Sequence, residues 1–173
     1  ARRVWDLRNT LYADREKYPK SAIRMMFTSN HDENSWSGSE FTRFGAALEV
    51  MTALTFLWEA SLPLIYTGQE VGYDHSFEFF DRDTLPSLIA NEHTQLYRRL
   101  INLKHTQRAL DSGERGGRII EIENNAKDCI MTFVRESDDS RVVAILNLSP
   151  YTIHADFNTG IYAGSYYNAI TGE

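Results

Sequence analysis

The feature that most constrains the fold is an alternation of short apolar blocks with helical patterns. A helical pattern over residues 1–18 precedes the apolar block Ile23–Phe27, and an amphipathic stretch over residues 37–60 precedes a second block, Leu62–Tyr66. Buried strands that alternate with amphipathic helices indicate parallel βαβ units. A closed (β/α)8 barrel takes about 250 residues. We therefore expect these units to be the last part of a larger α/β fold.

The pattern changes near Gly113, after a third predicted helix over residues 91–110 that Asn91 can cap. Beyond it, short apolar stretches alternate with turn residues. Strands are predicted at 118–122, 129–135, 141–146, 151–155 and 166–168. This spacing is typical of an antiparallel β-sandwich. The predicted division is an α/β part over residues 1–110 and a β-sandwich domain over residues 111–173, truncated at its end.

Charge and cysteine content exclude several classes of protein. The net charge is −6 without any cationic run, whereas a nucleic-acid binder needs a basic patch. Cys129 is the only cysteine, so no intrachain disulfide or CxxC metal site can form. No apolar run approaches the ~18 residues of a membrane span. The sequence leaves the cellular compartment open.

The residues best suited to chemistry are His31 and Asp32, in a polar stretch over residues 28–40 that we predict to be a loop. They follow the first predicted strand directly, and ligands bind beyond the carboxyl ends of strands in βα folds. Asp32 can accept hydrogen bonds through an ionised carboxylate, and His31 can donate one. Asn-His-Asp is also common turn chemistry, so position alone leaves both interpretations open.

Trp36 has two interpretations that the sequence does not separate. Ser37 and Glu40 fit a capping box, in which Ser37 would begin the second helix and Trp36 would pack on Phe41 as a hydrophobic staple. Alternatively, an exposed Trp36 ring would stack on a ligand. Glu33 and Asn34 are further candidates for lining the same site. 

The segment Phe27–Asp32 resembles the F-x-x-N-H-D motif that follows the seventh barrel strand of the α-amylase family, glycoside hydrolase family 13. Pro63–Glu70 resembles the eighth strand, of the form P-L-I-Y-Y-G-Q-E. Further stretches that are similar to the family, in the family's order, are 79–83, 96–104, 143–149 and 166–173. The resemblance implies the C-terminal portion of a (β/α)8 TIM barrel followed by an antiparallel β-sandwich.

The resemblance also implies a retaining glycoside hydrolase that cleaves α-glucosidic bonds in starch or maltooligosaccharides. Asp32 matches the family's third carboxylate, a transition-state stabiliser that hydrogen-bonds the 2- and 3-hydroxyls of a sugar, and His31 matches a substrate-binding residue. The family's nucleophile and acid/base carboxyl would lie before Ala1. Retention needs both carboxyls, about 5–5.5 Å apart. We therefore expect the chain alone to be inactive.

Other expectations follow from the same resemblance. Tyr66, Gln69 and Glu70 match the family as structure at the barrel rim rather than as catalysts. No metal or cofactor site is expected in this chain, although the resemblance implies that the complete enzyme can bind Ca²⁺ and is exported. Open strand edges and an uncovered apolar face predict either self-association of the chain or partner segments outside it.

Two alternatives remain open. The chain could belong to a non-catalytic glycan-binding or scaffold relative of the same fold. It could also belong to a metal-dependent phosphohydrolase that uses the His31–Asp32 pair, which would need further metal ligands.

Overall fold

Residues 4–172 are described in a computed structural model, and they begin with helix α1 (Val4–Arg15). The first three residues of the predicted helix, and Glu173 of the last family motif, lie outside the described residues. Strand β1 (Arg24–Met26) follows, and strand β2 (Ser61–Pro63) pairs with it in parallel, Arg24 opposite Ser61. Helices connect the two strands, so the structure contains the predicted parallel βαβ arrangement.

The prediction of a loop over residues 28–40 is wrong, because residues His31–Ser37 form helix α2. Its N-cap is Asn30, whose side-chain oxygen accepts a 2.8 Å hydrogen bond from the backbone N–H of Glu33. The helix is almost wholly polar. It therefore shows none of the apolar periodicity by which helices are recognised in a sequence.

The predicted capping box at Ser37 is also wrong. Ser37 ends α2, and Ser39 caps the next helix, α3 (Glu40–Phe44), by accepting a hydrogen bond from the backbone N–H of Thr42. The predicted helix over residues 37–60 is not continuous, since Gly45 has a φ of 51° and begins a 3₁₀ turn. Helix α4 (Leu48–Leu57) then leads to β2.

The third predicted helix is confirmed as α5 (Glu92–Thr106), which ends four residues earlier than expected. The side chain of Asn91 accepts hydrogen bonds from the backbone N–H groups of His93 and Thr94, and Thr94 Oγ1 accepts one from the backbone N–H of Asn91. This reciprocal pattern is a capping box.

The remainder of the chain forms two antiparallel sheets. One has the strand order β3-β5-β6, and the other pairs β4 with β7. The strands are β3 (Ile119–Glu121), β4 (Glu123–Asn124), β5 (Ile130–Ser137), β6 (Ser140–Asn147) and β7 (Phe157–Asn158). The antiparallel character is confirmed. The strands predicted at 151–155 and 166–168 do not form.

One hydrophobic core joins the helices to the larger sheet. Trp58, at the end of α4, is fully buried and packs edge-on against Tyr12 of α1 at 5.4 Å and Phe133 of β5 at 5.8 Å between ring centroids. Because these three rings come from distant parts of the sequence, the core holds α1, α4 and the sheet together.

Two buried charged residues reinforce this junction. Arg135 of β5 is 1% exposed and donates hydrogen bonds to the carbonyls of Trp58 at 3.0 Å, Asp111 at 2.8 Å and Gly117 at 2.8 Å. The carboxylate of Glu59 accepts a 2.7 Å hydrogen bond from the backbone N–H of Ile119. Main-chain groups from both halves of the chain are therefore satisfied by these two side chains.

The parallel pair β1–β2 has one uncovered apolar face. Met25 lies directly opposite Leu62, and these side chains are 59% and 53% exposed. Apolar side chains opposite each other on a sheet normally pack against a covering layer.

Within residues 4–172, no helix is both long and apolar enough to span a membrane.

Candidate functional site

His31 and Asp32 occupy the first turn of α2, immediately beyond the carboxyl end of β1. Both side chains are exposed, and His31 Nε2 lies 3.5 Å from Asp32 Oδ2. The two groups are therefore adjacent and open to a ligand, on a short helix rather than in the predicted loop. Neighbouring Glu33 forms an ion pair with Arg43 at 2.8 Å.

A buried polar cluster lies among residues that flank α2 and follow β2. Thr28 Oγ1 donates a 2.8 Å hydrogen bond to Glu40 Oε2 and accepts one of 2.7 Å from Gln69 Nε2, which also donates to the Glu40 carboxylate. Glu40 is only 4% exposed. Burial raises the pKa of Glu40, while the hydrogen bonds from Thr28 and Gln69 act in the opposite direction.

The cluster joins the residues that follow the two parallel strands. Thr28 lies just after β1, and Gln69 begins a 3₁₀ turn after β2. From the sequence, Glu40 is predicted only as part of a helix cap, because a side chain that bridges two distant loops leaves no local pattern. Gln69 is buried as part of this cluster, and the Tyr66 ring contacts Phe77 at 6.0 Å.

Trp36 lies at the surface, 65% exposed, and does not form the predicted staple. Its ring contacts Phe79 at 5.2 Å and Phe80 at 6.1 Å between centroids. The Phe41 ring instead contacts His93 at 5.4 Å. The staple interpretation is wrong because Ser37, the residue on which it depends, ends a helix instead of starting one.

The rings of His31, Trp36, Phe79 and Phe80 form one surface group, which we call the aromatic cluster. The rings of His31 and Phe79 are stacked, with centroids 6.2 Å apart and planes inclined by 21°. Phe79 and Phe80 meet edge-on at 4.9 Å. The cluster therefore extends from the side chain beside Asp32 to the segment after β2. Phe79 and Phe80 are not predicted as site residues from the sequence, because two apolar residues in a loop have no periodicity.

The segment 73–83 is held against α2 by the side chain of Asn34. Asn34 Nδ2 donates a 2.8 Å hydrogen bond to the carbonyl of His75, and Asn34 Oδ1 accepts one of 2.7 Å from the backbone N–H of Phe77. Asn34 is buried, so it supports the segment and does not line an open cleft.

A second contact stabilises the segment internally. His75 Nε2 lies 2.7 Å from Asp83 Oδ2, which also accepts a 3.1 Å hydrogen bond from the backbone N–H of Glu78. The hydrogen bond from His75 is the main reason that the pKa of Asp83 lies below its ordinary value. Two side-chain contacts therefore fix the course of the segment that carries Phe79 and Phe80.

Other features of the molecule lie apart from this surface. A cavity of about 180 Å³ is lined mainly by the segment 113–118, and one of about 470 Å³ is lined mainly by residues 121–132. Helix α2 lines neither of them. In the described part of the chain, no three His, Cys, Asp or Glu side chains are grouped to hold a metal ion. The expectation of Ca²⁺ in a complete enzyme stays a prediction.

Comparison with known proteins gave two findings. Residues 121–173 match the family model of the α-amylase C-terminal all-β domain. The fold resembles the crystal structure of a noncanonic maltogenic α-amylase, AmyB, from Thermotoga neapolitana, with a TM-score of 0.82 and 18% identity. The alignment covers 99% of this chain and 40% of that one, so the chain spans less than half of its solved relative. A search of curated proteins gave no match.

Proposed function

With residues 121–173 assigned to the C-terminal all-β domain of the α-amylase family, we propose that the chain is part of a retaining glycoside hydrolase. The proposed reaction is cleavage of α-glucosidic bonds in starch or maltooligosaccharides. The observation that carries the proposal is the position of Asp32, an exposed carboxylate just beyond the carboxyl end of a parallel strand. Enzymes built on parallel βα units place catalytic residues at this end.

The uncovered face of β1 and β2 supports a barrel as the complete architecture. In a closed barrel of parallel strands, side chains on one face of every strand fill the interior. Met25 and Leu62 are opposite each other on that kind of face. We propose that they belong to the interior of a (β/α)8 barrel completed by strands outside this chain. The expected self-association of the chain alone stays a prediction, which sedimentation velocity tests.

In the proposed mechanism, Asp32 stabilises the transition state. Its carboxylate would accept hydrogen bonds from the 2- and 3-hydroxyls of the sugar at the scissile bond, and these bonds would strengthen as the ring gains oxocarbenium character. His31, 3.5 Å away, would hydrogen-bond the same sugar. Trp36 would contribute an exposed ring to substrate binding. The nucleophile and the acid/base carboxyl would come from outside this chain, which alone would then be inactive.

Replacement of Asp32 by Asn in the complete enzyme tests the proposal. We expect kcat to fall by about 100- to 1000-fold, as when one transition-state hydrogen-bonding group is removed from an active site. Asp139→Asn, in an exposed turn between β5 and β6, is the matched control and should leave kcat unchanged. Circular dichroism verifies folding. Near-normal activity of a folded Asp32→Asn enzyme would contradict the assigned role.

The exposed aromatic cluster favours a second candidate, a glycan-binding relative without catalysis. Such a protein would bind maltooligosaccharides through the same surface. Turnover of maltooligosaccharides by the complete protein distinguishes the two candidates, since only the enzyme supplies the two carboxyls that retention needs.

A further inference from the structure

We propose that Trp36, Phe79 and Phe80 form a stacking subsite for a second glucosyl ring of an α-glucan, beside the sugar bound by Asp32 and His31. The ligand class is taken from the proposed function, on which this inference rests. The inference extends the proposed function by adding Phe79 and Phe80, from the segment after β2, to the binding surface. It also assigns Asn34 as the positioning residue that holds this segment.

The rings of the proposed subsite are exposed to solvent. Phe80 is 83% exposed and Trp36 is 65% exposed, whereas Trp58 in the core is fully buried. Single exposed apolar residues are common on protein surfaces, but a contiguous group is typical of a binding site. The centroid distances of 4.9 to 6.1 Å among these three rings make them contiguous.

The groups beside the rings suit the chemistry of a sugar. A glucosyl ring has an apolar face of C–H groups and a rim of hydroxyls. The aromatic cluster can cover the face, and the exposed carboxylate of Asp32 can accept hydrogen bonds from the rim. The stacked His31 and Phe79 rings make the aromatic surface continuous with the side chain next to Asp32.

The rings of the proposed subsite are preorganised for binding. Asn34 is bonded to the backbone on both sides of Ser76, and the His75–Asp83 contact closes the same segment. Phe79 and Phe80 are therefore held beside Trp36 before any ligand arrives. A surface that is already ordered loses less conformational entropy on binding than a mobile loop does.

Charge favours a glucan over a second copy of the chain as the occupant. Asp32, Glu78 and Asp81 directly adjoin residues of the aromatic cluster in the sequence, and the whole chain has a net charge of −6. Two such surfaces would repel each other at neutral pH. An uncharged glucan meets no such repulsion.

Titration of the 173-residue chain with maltotetraose, followed by ¹H–¹⁵N NMR, tests the subsite. We expect shifts in the amides of α2 and of residues 77–80. Phe80→Ala and Phe79→Ala should each weaken binding by about three- to tenfold, the range for loss of one aromatic contact. Phe80→Trp should retain it. Tyr151→Ala removes an exposed ring outside the cluster and should bind like the unmodified chain.

Three results would overturn the inference. The first is no binding of maltotetraose by the unmodified chain, and the second is unchanged affinity in the folded Phe80→Ala variant. The third is self-association, measured by sedimentation velocity, that Phe80→Ala abolishes while the affinity for the sugar stays the same. The third result would mean that the aromatic cluster contacts another copy of the chain. Because Asp32→Asn activity is measured separately, failure of the subsite and failure of the proposed function give different results.

Discussion

The hydroxyl of Thr28 donates a hydrogen bond of 2.8 Å to the carboxylate of Glu40, which ties the residues after β1 to the first turn of α3. Gln69 joins the same carboxylate from the segment after β2. A buried acid therefore connects the two loops that follow the parallel strands.

Replacement of Glu40 by Ala should destabilise the fold strongly. The substitution leaves the Thr28 hydroxyl and the Gln69 amide buried without their acceptor, which should lower the free energy of unfolding by about 2–4 kcal/mol. Urea denaturation measures the change. Glu49→Ala, in the exposed first turn of α4, is the matched control and should have little effect. Equal midpoints for the two variants would show that the Glu40 contacts contribute no net stability.

The same carboxyl should make stability depend on pH. Burial raises the pKa of Glu40 above its ordinary value of 4.5, against the hydrogen bonds of Thr28 and Gln69 and the nearby charges of His93 and Arg43. The native state then holds this proton more tightly than the unfolded chain does. The contribution of Glu40 is consequently greatest below the unfolded value and is lost as pH rises through the native pKa.

This pH dependence is measured as the difference in unfolding free energy between the unmodified chain and Glu40→Gln, from about pH 4 to about pH 8. The difference should move in favour of the Gln variant as pH increases. A difference that stays constant over the range would contradict a raised pKa.

Replacement of Asn34 by Ala should release the segment 73–83. The carbonyl of His75 and the N–H of Phe77 lose their partner, which should lower the local opening free energy by about 1–3 kcal/mol. Hydrogen exchange of the Phe77 amide should accelerate, while exchange within β5 stays unchanged. Asn102→Ala, on the exposed side of α5, is the control. Unchanged exchange at Phe77 would exclude Asn34 as the positioning residue.

Replacement of Arg135 by Met should disrupt the junction between the helices and the sheet. Methionine fills much of the volume but leaves the carbonyls of Trp58, Asp111 and Gly117 buried and unpaired, at a cost of about 3 kcal/mol or more. Arg135→Lys should rescue little, because an ammonium cannot match the planar fork of donors. The control is Arg141→Ala, at an exposed position of β6 where the arginine forms a surface ion pair with Glu136. Its unfolding midpoint should remain close to that of the unmodified chain, because surface ion pairs contribute little stability.

Features of the fold with a local cause were predictable from the sequence. The Asn91 cap and the apolar spacing of α5 lie within one stretch of chain, and both are confirmed. The β1–β2 pairing was predictable because strand blocks and helical patterns alternate. Ser37 and Ser39 are two residues apart and both fit a cap. Only the extended backbone at Ser39, set by the preceding turn at Gly38, decides between them.

The contacts around the candidate site had no local cause and could not be predicted. Helix α2 depends on the Asn30 cap and on the contact of Asn34 with a segment more than 40 residues away. The contact of Trp36 with Phe79 likewise joins two residues that are far apart in the sequence. Side chains that bond across such distances leave no periodic signal, so sequence patterns indicate Asp32 as a candidate but not the contacts around it.

The acceptors of Arg135 have a practical consequence for protein engineering. The guanidinium belongs to β5, while its partners lie at residues 58, 111 and 117, on both sides of the domain boundary predicted at 110/111. A chimaera that exchanges the all-β part at this boundary would bring a foreign residue to position 135 against the original carbonyl of Trp58. In a stable chimaera, the crossover point must therefore lie before Leu57, or the donor sequence must carry arginine at the position equivalent to 135.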